Sequence, residues 1–255
     1  MKKNLLISTA LLATLSVVAL TQTADAATAT KDLKGKVGVK FKGDTIDPEG
    51  PFRGNIVMGY VPNEINFTDN GKGLSVTDGE LNVAADEYTK DRYIVVNDDR
   101  PEAKLSAWST SLQISDITNV KKADDKLVAD LEMIPGKTFV YTGASLADAN
   151  DNDYTMVDPT TDKTVISKEY TGAVKPAAEK YIIPASETAG AVKLIEKTDK
   201  VIDPAIETQP GKDKGGQGYA LELKQPRLKI KSKGTKGATY SGNMTWTLTY
   251  DDAAK

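Results

Sequence analysis

The chain has 255 residues, a net charge of −3 and neither cysteine nor histidine, which excludes disulfides, thiol nucleophiles, histidine-based triads and the usual zinc ligand sets. A mildly acidic balance also lacks the clustered basic excess that nucleic-acid binding requires. Stability must come from an apolar core.

Residues 1–26 read as a secretory signal peptide, with Lys2 and Lys3 as the basic start, Leu5 to Leu20 as the apolar stretch and Ala24-Asp-Ala26 as a small-residue cleavage site. The apolar stretch falls short of the roughly 20 residues a spanning helix needs, so the expectation is export with cleavage before Ala27. No other stretch approaches spanning length, and the C-terminal Tyr250-Asp-Asp-Ala-Ala-Lys255 carries no hydrophobic tail or sorting signal. The expectation is a soluble mature protein with no membrane span.

Residues 27–58, with Pro48 and Pro51 among several glycines, read as a partly ordered lead-in. Beyond it, short alternating runs are separated by Gly, Asn, Asp and Pro clusters, the pattern of antiparallel strands and turns. Strands are predicted near Lys36 to Lys42, Gly59 to Phe67, Leu74 to Thr77, Tyr93 to Asn97 and Ser106 to Thr118. Further strands are predicted near Phe139 to Ala144, Thr164 to Thr171, Ala191 to Glu196, Tyr219 to Ser232 and Asn243 to Tyr250. The fold class is therefore all-β, an antiparallel β-sandwich-like domain with long loops, over residues 59–255.

Two of these runs carry the only tryptophans. In a strand, side chains two apart share a face. Trp108, Thr110, Leu112 and Ile114 therefore point one way, with Ser109, Ser111, Gln113 and Ser115 opposite. Near the C-terminus, Met244, Trp246, Leu248 and Tyr250 share a face, with Thr245, Thr247 and Thr249 opposite. One reading makes the tryptophans an aromatic platform for a glycan or partner; the other makes them ordinary core. A buried Trp removes about 150–250 Å² from water, which favours burial of Trp246.

Other chemistry fails its tests. Gly136-Lys-Thr138 resembles the end of a phosphate-binding loop, but Leu131 stands where the upstream glycine is required. Asp98, Asp99, Asp251 and Asp252 supply carboxylates that could flank a sugar, yet adjacent aspartates are expected on solvated turns. Asp148, Asn150 and Asn152 begin an EF-hand spacing, but Asp153 replaces the required Gly and Pro159 the bidentate Glu. That segment reads as a polar turn, with a loose calcium site as the alternative. No catalysis, cofactor or metal is expected.

Three stretches carry a family resemblance: Gly59-Tyr-Val-Pro-Asn-Glu-Ile-Asn-Phe67, then Tyr93-Ile-Val-Val-Asn-Asp-Asp-Arg100 leading into the first Trp run, and the closing Tyr-Ser-Gly-Asn-Met-Thr-Trp-Thr-Leu-Thr-Tyr250. The chain resembles the WxL-domain cell-surface proteins of low-GC Gram-positive bacteria. The first motif departs from the pattern, because Thr110 stands where Leu follows Trp by two. The resemblance implies noncovalent binding to peptidoglycan and a display or adhesion role. It also allows a rival, docking to a membrane-anchored Ig-like surface protein. Trp108, Leu112, Trp246, Leu248 and Tyr250 are the residues it marks, as binding groups or as the core beneath them.

Overall fold

The computed structural model describes residues 30–34, 54–62, 64–67, 81–85, 88–100, 106–146, 154–166, 168–199, 217–232, 234–235 and 238–251. Its strands are β1 (Thr30–Lys34), β2 (Ile56–Tyr60), β3 (Leu81–Ala84), β4 (Arg92–Asp98), β5 (Trp108–Ile114), β6 (Ile117–Asn119), β7 (Lys122–Leu127) and β8 (Ala129–Tyr141). These are followed by β9 (Ala144–Leu146), β10 (Tyr154–Met156), β11 (Val174–Pro176), β12 (Tyr181–Pro184), β13 (Val192–Lys197), β14 (Gln217–Ile230), β15 (Tyr240–Ser241) and β16 (Met244–Tyr250).

Two antiparallel sheets make a sandwich. One runs β1-β16-β5-β13-β11; the other runs β12-β8-β14-β4-β2, with β3 also paired to β14. Their facing side chains share one core. Trp108, Leu112, Leu194, Ile195, Trp246 and Leu248 come from the first sheet, and Ile94, Val96, Leu131, Met133, Tyr219 and Leu221 from the second. Alternation in β5 follows from this arrangement, because one face meets the core and the other does not.

The second sheet is covered on its other face too. Val57, Tyr93, Val95, Tyr141 and Ala220 pack there against Val165 and Ile166 of a 3-10 helix, Lys163–Ile166. Burial on both faces explains why every residue of β4 is buried, and why its stretch from Tyr93 to Val96 is continuously apolar rather than alternating. Gly218 of β14 lies so close to β8 that an added Cβ would sit 2.1 Å from the carbonyl oxygen of Tyr141. A larger residue would force the two central strands apart. Further along, Gln225 adopts a φ of 51° where the β14–β8 register shifts.

A third apolar cluster, Ile117, Leu127, Ala129, Leu228 and Ile230, joins the small sheet β15-β6-β7 to the ends of β8 and β14. Sheet pairings thus reach from β1, close to the start of the chain, to β16 near its end.

The all-β expectation holds, with corrections to individual strands. The run Gly59 to Phe67 is strand only to Tyr60, since β2 begins at Ile56 and Pro62 has no N–H for a ladder. Thr164 to Thr171 is not a strand. Asp162 accepts hydrogen bonds from the backbone N–H and hydroxyl of Thr164, starting the 3-10 turn instead. Ser106 to Thr118 divides into β5 and β6, where the chain leaves the first sheet for the small one. Phe139 belongs to the longer β8, which has Pro135 and Gly136 at its middle. The predicted runs Lys36 to Lys42 and Leu74 to Thr77 lie outside the described residues, as do Asp148, Asn150 and Asn152.

Candidate functional site

The two tryptophan runs are neighbours. β5 and β16 pair antiparallel over their full lengths, with Trp108 opposite Tyr250, Thr110 opposite Leu248, Leu112 opposite Trp246 and Ile114 opposite Met244. Trp246 and Leu112 are wholly buried, Trp108 is 3% exposed and Leu248 4% exposed, whereas Tyr250 is half-buried at the edge of the core. All five marked residues therefore lie on one face of one strand pair, turned into the sandwich. The Trp108 ring meets Tyr219 of the second sheet with centroids 5.9 Å apart. A surface aromatic platform is not what these indoles form.

Thr110 sits in the middle of that inward face, flanked in register by Leu248 on one side and Ile195 on the other. Its hydroxyl is buried and finds no hydrogen-bond partner among the described protein groups, and the same holds for the Nε1 of Trp108 and of Trp246. Where the motif that the chain resembles has leucine, Thr110 thus puts a polar atom into an apolar row.

The next row is cationic at both ends. Lys197 of β13 stands directly across from Trp108 and is only 1% exposed, its ammonium 2.7 Å from Asp199. On the far side of Trp108, the Arg100 guanidinium lies 5.1 Å from the centre of the Tyr250 ring.

Arg100 also closes the open end of the sandwich. Its Nε and Nη2 donate to the two carboxylate oxygens of Asp98, each at 2.8 Å, a bidentate pair. Its Nη1 donates to Ser106 Oγ at 2.6 Å and its Nη2 to the Ser106 carbonyl at 3.1 Å. Ser106 Oγ in turn donates to the Asp251 carbonyl. Asp98, Arg100 and Ser106 are all buried. The end of β4 in one sheet is so tied to the ends of β5 and β16 in the other.

Two of the four aspartates considered for sugar chemistry have their carboxylates engaged in structural contacts. Asp98 neutralises Arg100, and Asp99 accepts from Gly54 N at 2.9 Å, holding a turn whose glycine has a φ of 74°. Asp251 contributes backbone groups, while Asp252 lies outside the described residues. Among the described residues no group of three acidic side chains gathers to hold a metal ion, and no helix is long and apolar enough to cross a membrane.

The opposite face of β5 and β16 carries Ser109, Ser111 and Gln113 beside Thr249, Thr247 and Thr245, pairwise in register. All are half-buried except Thr249, which is exposed. Gln113 Nε2 donates to the carbonyls of Glu187 at 3.1 Å and Ala189 at 2.6 Å, fastening a loop along this end. On the adjoining β13, Lys193 and Glu196 stand in register with Ser111 and Ser109 and are ion-paired at 3.0 Å.

Sequence reasoning missed Arg100, Ser106 and Lys197. A signal existed for the first, since Arg100 follows the buried strand's last aspartate by two and both occur in a stretch that carries the resemblance. For Lys197 there was none, because a lysine ending an alternating run looks solvated.

No curated protein and no solved structure matches the chain. The family model of the WxL domain, described as surface cell wall-binding, matches residues 26–251. That span takes in both tryptophan strands, the Arg100 clasp and every sheet of the sandwich, and the chain belongs to the WxL domain family.

Proposed function

We propose that this protein is exported, loses residues 1–26 and is retained on the outer surface through noncovalent contacts with peptidoglycan, as a display or adhesion component. The carrying observation is the wall-binding family match over residues 26–251. Asp98 and Asp99, weighed as carboxylates that could flank a sugar, are engaged in structural contacts instead. In this reading the tryptophans act from beneath, setting the geometry of the strands rather than touching the wall.

The test is sedimentation with purified, protein-free peptidoglycan. The expected result is a chain that pellets with the wall and leaves it in mild denaturant. Retention after boiling in detergent would contradict noncovalent attachment. Pelleting only when a membrane-anchored Ig-like protein is supplied would replace the glycan with a protein as primary ligand.

A further inference from the structure

We infer that the contact surface for the wall is the outer face of β5 and β16, a row of Ser and Thr side chains on the reverse of the tryptophans, and that its ligand is the neutral glycan strand. The inference rests on the wall-binding reading above and says where that binding occurs. Burial of Trp108 and Trp246 leaves these strands only their other side to present. There Thr245 faces Gln113, Thr247 faces Ser111 and Thr249 faces Ser109. Strand spacing sets such side chains about 4.8 Å apart across the pair and about 6.8 Å apart along it.

The chemistry of this patch suits a polysaccharide. A Ser or Thr hydroxyl can both donate and accept, as the hydroxyl and acetamido groups of a sugar polymer require. Threonine is also stiff at χ1, so its hydroxyl loses little freedom on binding. The six side chains carry no charge, and on the neighbouring β13 Lys193 and Glu196 neutralise one another. Across β5, β16 and β13 this face carries no net charge, so it has little to attract a polyanion.

The patch is also rigid. The tryptophan core fixes it from below, the Gln113 bonds to the 187–189 loop fix one end and the Arg100–Ser106–Asp251 chain fixes the other. Ordering cost on binding is therefore largely met in the free protein.

The experiment compares the purified chain with a variant carrying Thr245→Val, Thr247→Val, Thr249→Val, Ser109→Ala and Ser111→Ala, on peptidoglycan with and without its anionic polymers. Valine keeps the shape and strand preference of threonine, so the unfolding midpoint should stay close to that of the parent. Apparent affinity for peptidoglycan should fall at least tenfold. Parent binding should be the same with or without the anionic polymers and should survive about a tenfold rise in salt. A single Ser111→Lys change in the middle of the patch, read by the same two measurements, serves if the fivefold variant fails to fold. Ile182→Ser, at a 49% exposed position on the other sheet, should bind normally.

A folded patch variant that binds as well as the parent would overturn the assignment while leaving wall binding intact. Loss of binding in Ile182→Ser alone would move the site to the other sheet. A parent that requires the anionic polymers would overturn the neutral-glycan ligand. A parent that never pellets would instead remove the wall-binding reading itself.

Discussion

Trp246 stands directly opposite Leu112, the residue four places after Trp108, so the two tryptophan motifs are interleaved across one pair of strands. Four residues of strand, about 13 Å, separate the two indole positions, and the space between them is filled by Leu112, Thr110 and Leu248. The motif is a packing device for the centre of the first sheet.

Removing that packing has a defined cost. Trp246→Ala should destabilise the fold by about 3–5 kcal/mol, and wall binding should be lost through unfolding. The midpoint of urea unfolding measures it. Unchanged stability with lost binding would make Trp246 a contact residue despite its complete burial.

Arg100→Met should cost about 3–5 kcal/mol, because it leaves the carboxylate of Asp98 buried and unpaired. Adding Asp98→Asn should restore part of that loss by removing the orphaned charge. A double variant no more stable than Arg100→Met would show that the guanidinium acts through Tyr250 and Ser106 rather than through its carboxylate.

Thr110→Val should stabilise the protein by about 1 kcal/mol or more, since it replaces an unpartnered buried hydroxyl with a methyl of the same shape between Leu248 and Ile195. A destabilised variant would mean that the hydroxyl has a partner in solution.

The alkaline limit follows from the tyrosines. Burial, helped by the charges of Asp91 and Glu222, pushes Tyr93 up to about 12 from its ordinary 10.0. Desolvation likewise raises Tyr141 and Tyr181. The unfolded chain then gives up these protons at lower pH than the folded one, so the stabilisation is complete below pH 10 and declines as pH rises above it. Urea midpoints should be level from about pH 7 to 9 and fall by about pH 11. A midpoint that holds steady to that pH would contradict the folded environments of these rings.

Much of this architecture is legible in the chain. Alternation at Trp108 to Ile114 and Met244 to Tyr250 gives the correct faces, and the unbroken Tyr-Ile-Val-Val run marks a strand covered on both sides. What is not legible is pairing. Nothing local says that β5 and β16 are neighbours, because their register is fixed by the shared core. β7 escaped because its Lys-Ala-Asp-Asp-Lys sequence faces solvent, and the first part of β8 because Pro135 and Gly136 interrupt its alternation beside a register shift. Lys197 was hidden by the same limit: its burial depends on Trp108, far away in sequence.

The most direct measurement is chemical unfolding and wall sedimentation of a chain ending at Asn243. Without β16, β5 and β1 lose their shared partner, and Trp246 and Leu248 leave the core. The expected result is loss of cooperative unfolding together with loss of peptidoglycan binding. A truncated chain that still unfolded cooperatively and still pelleted with the wall would contradict the central claim, that the closing Trp-Thr-Leu strand builds the wall-binding domain.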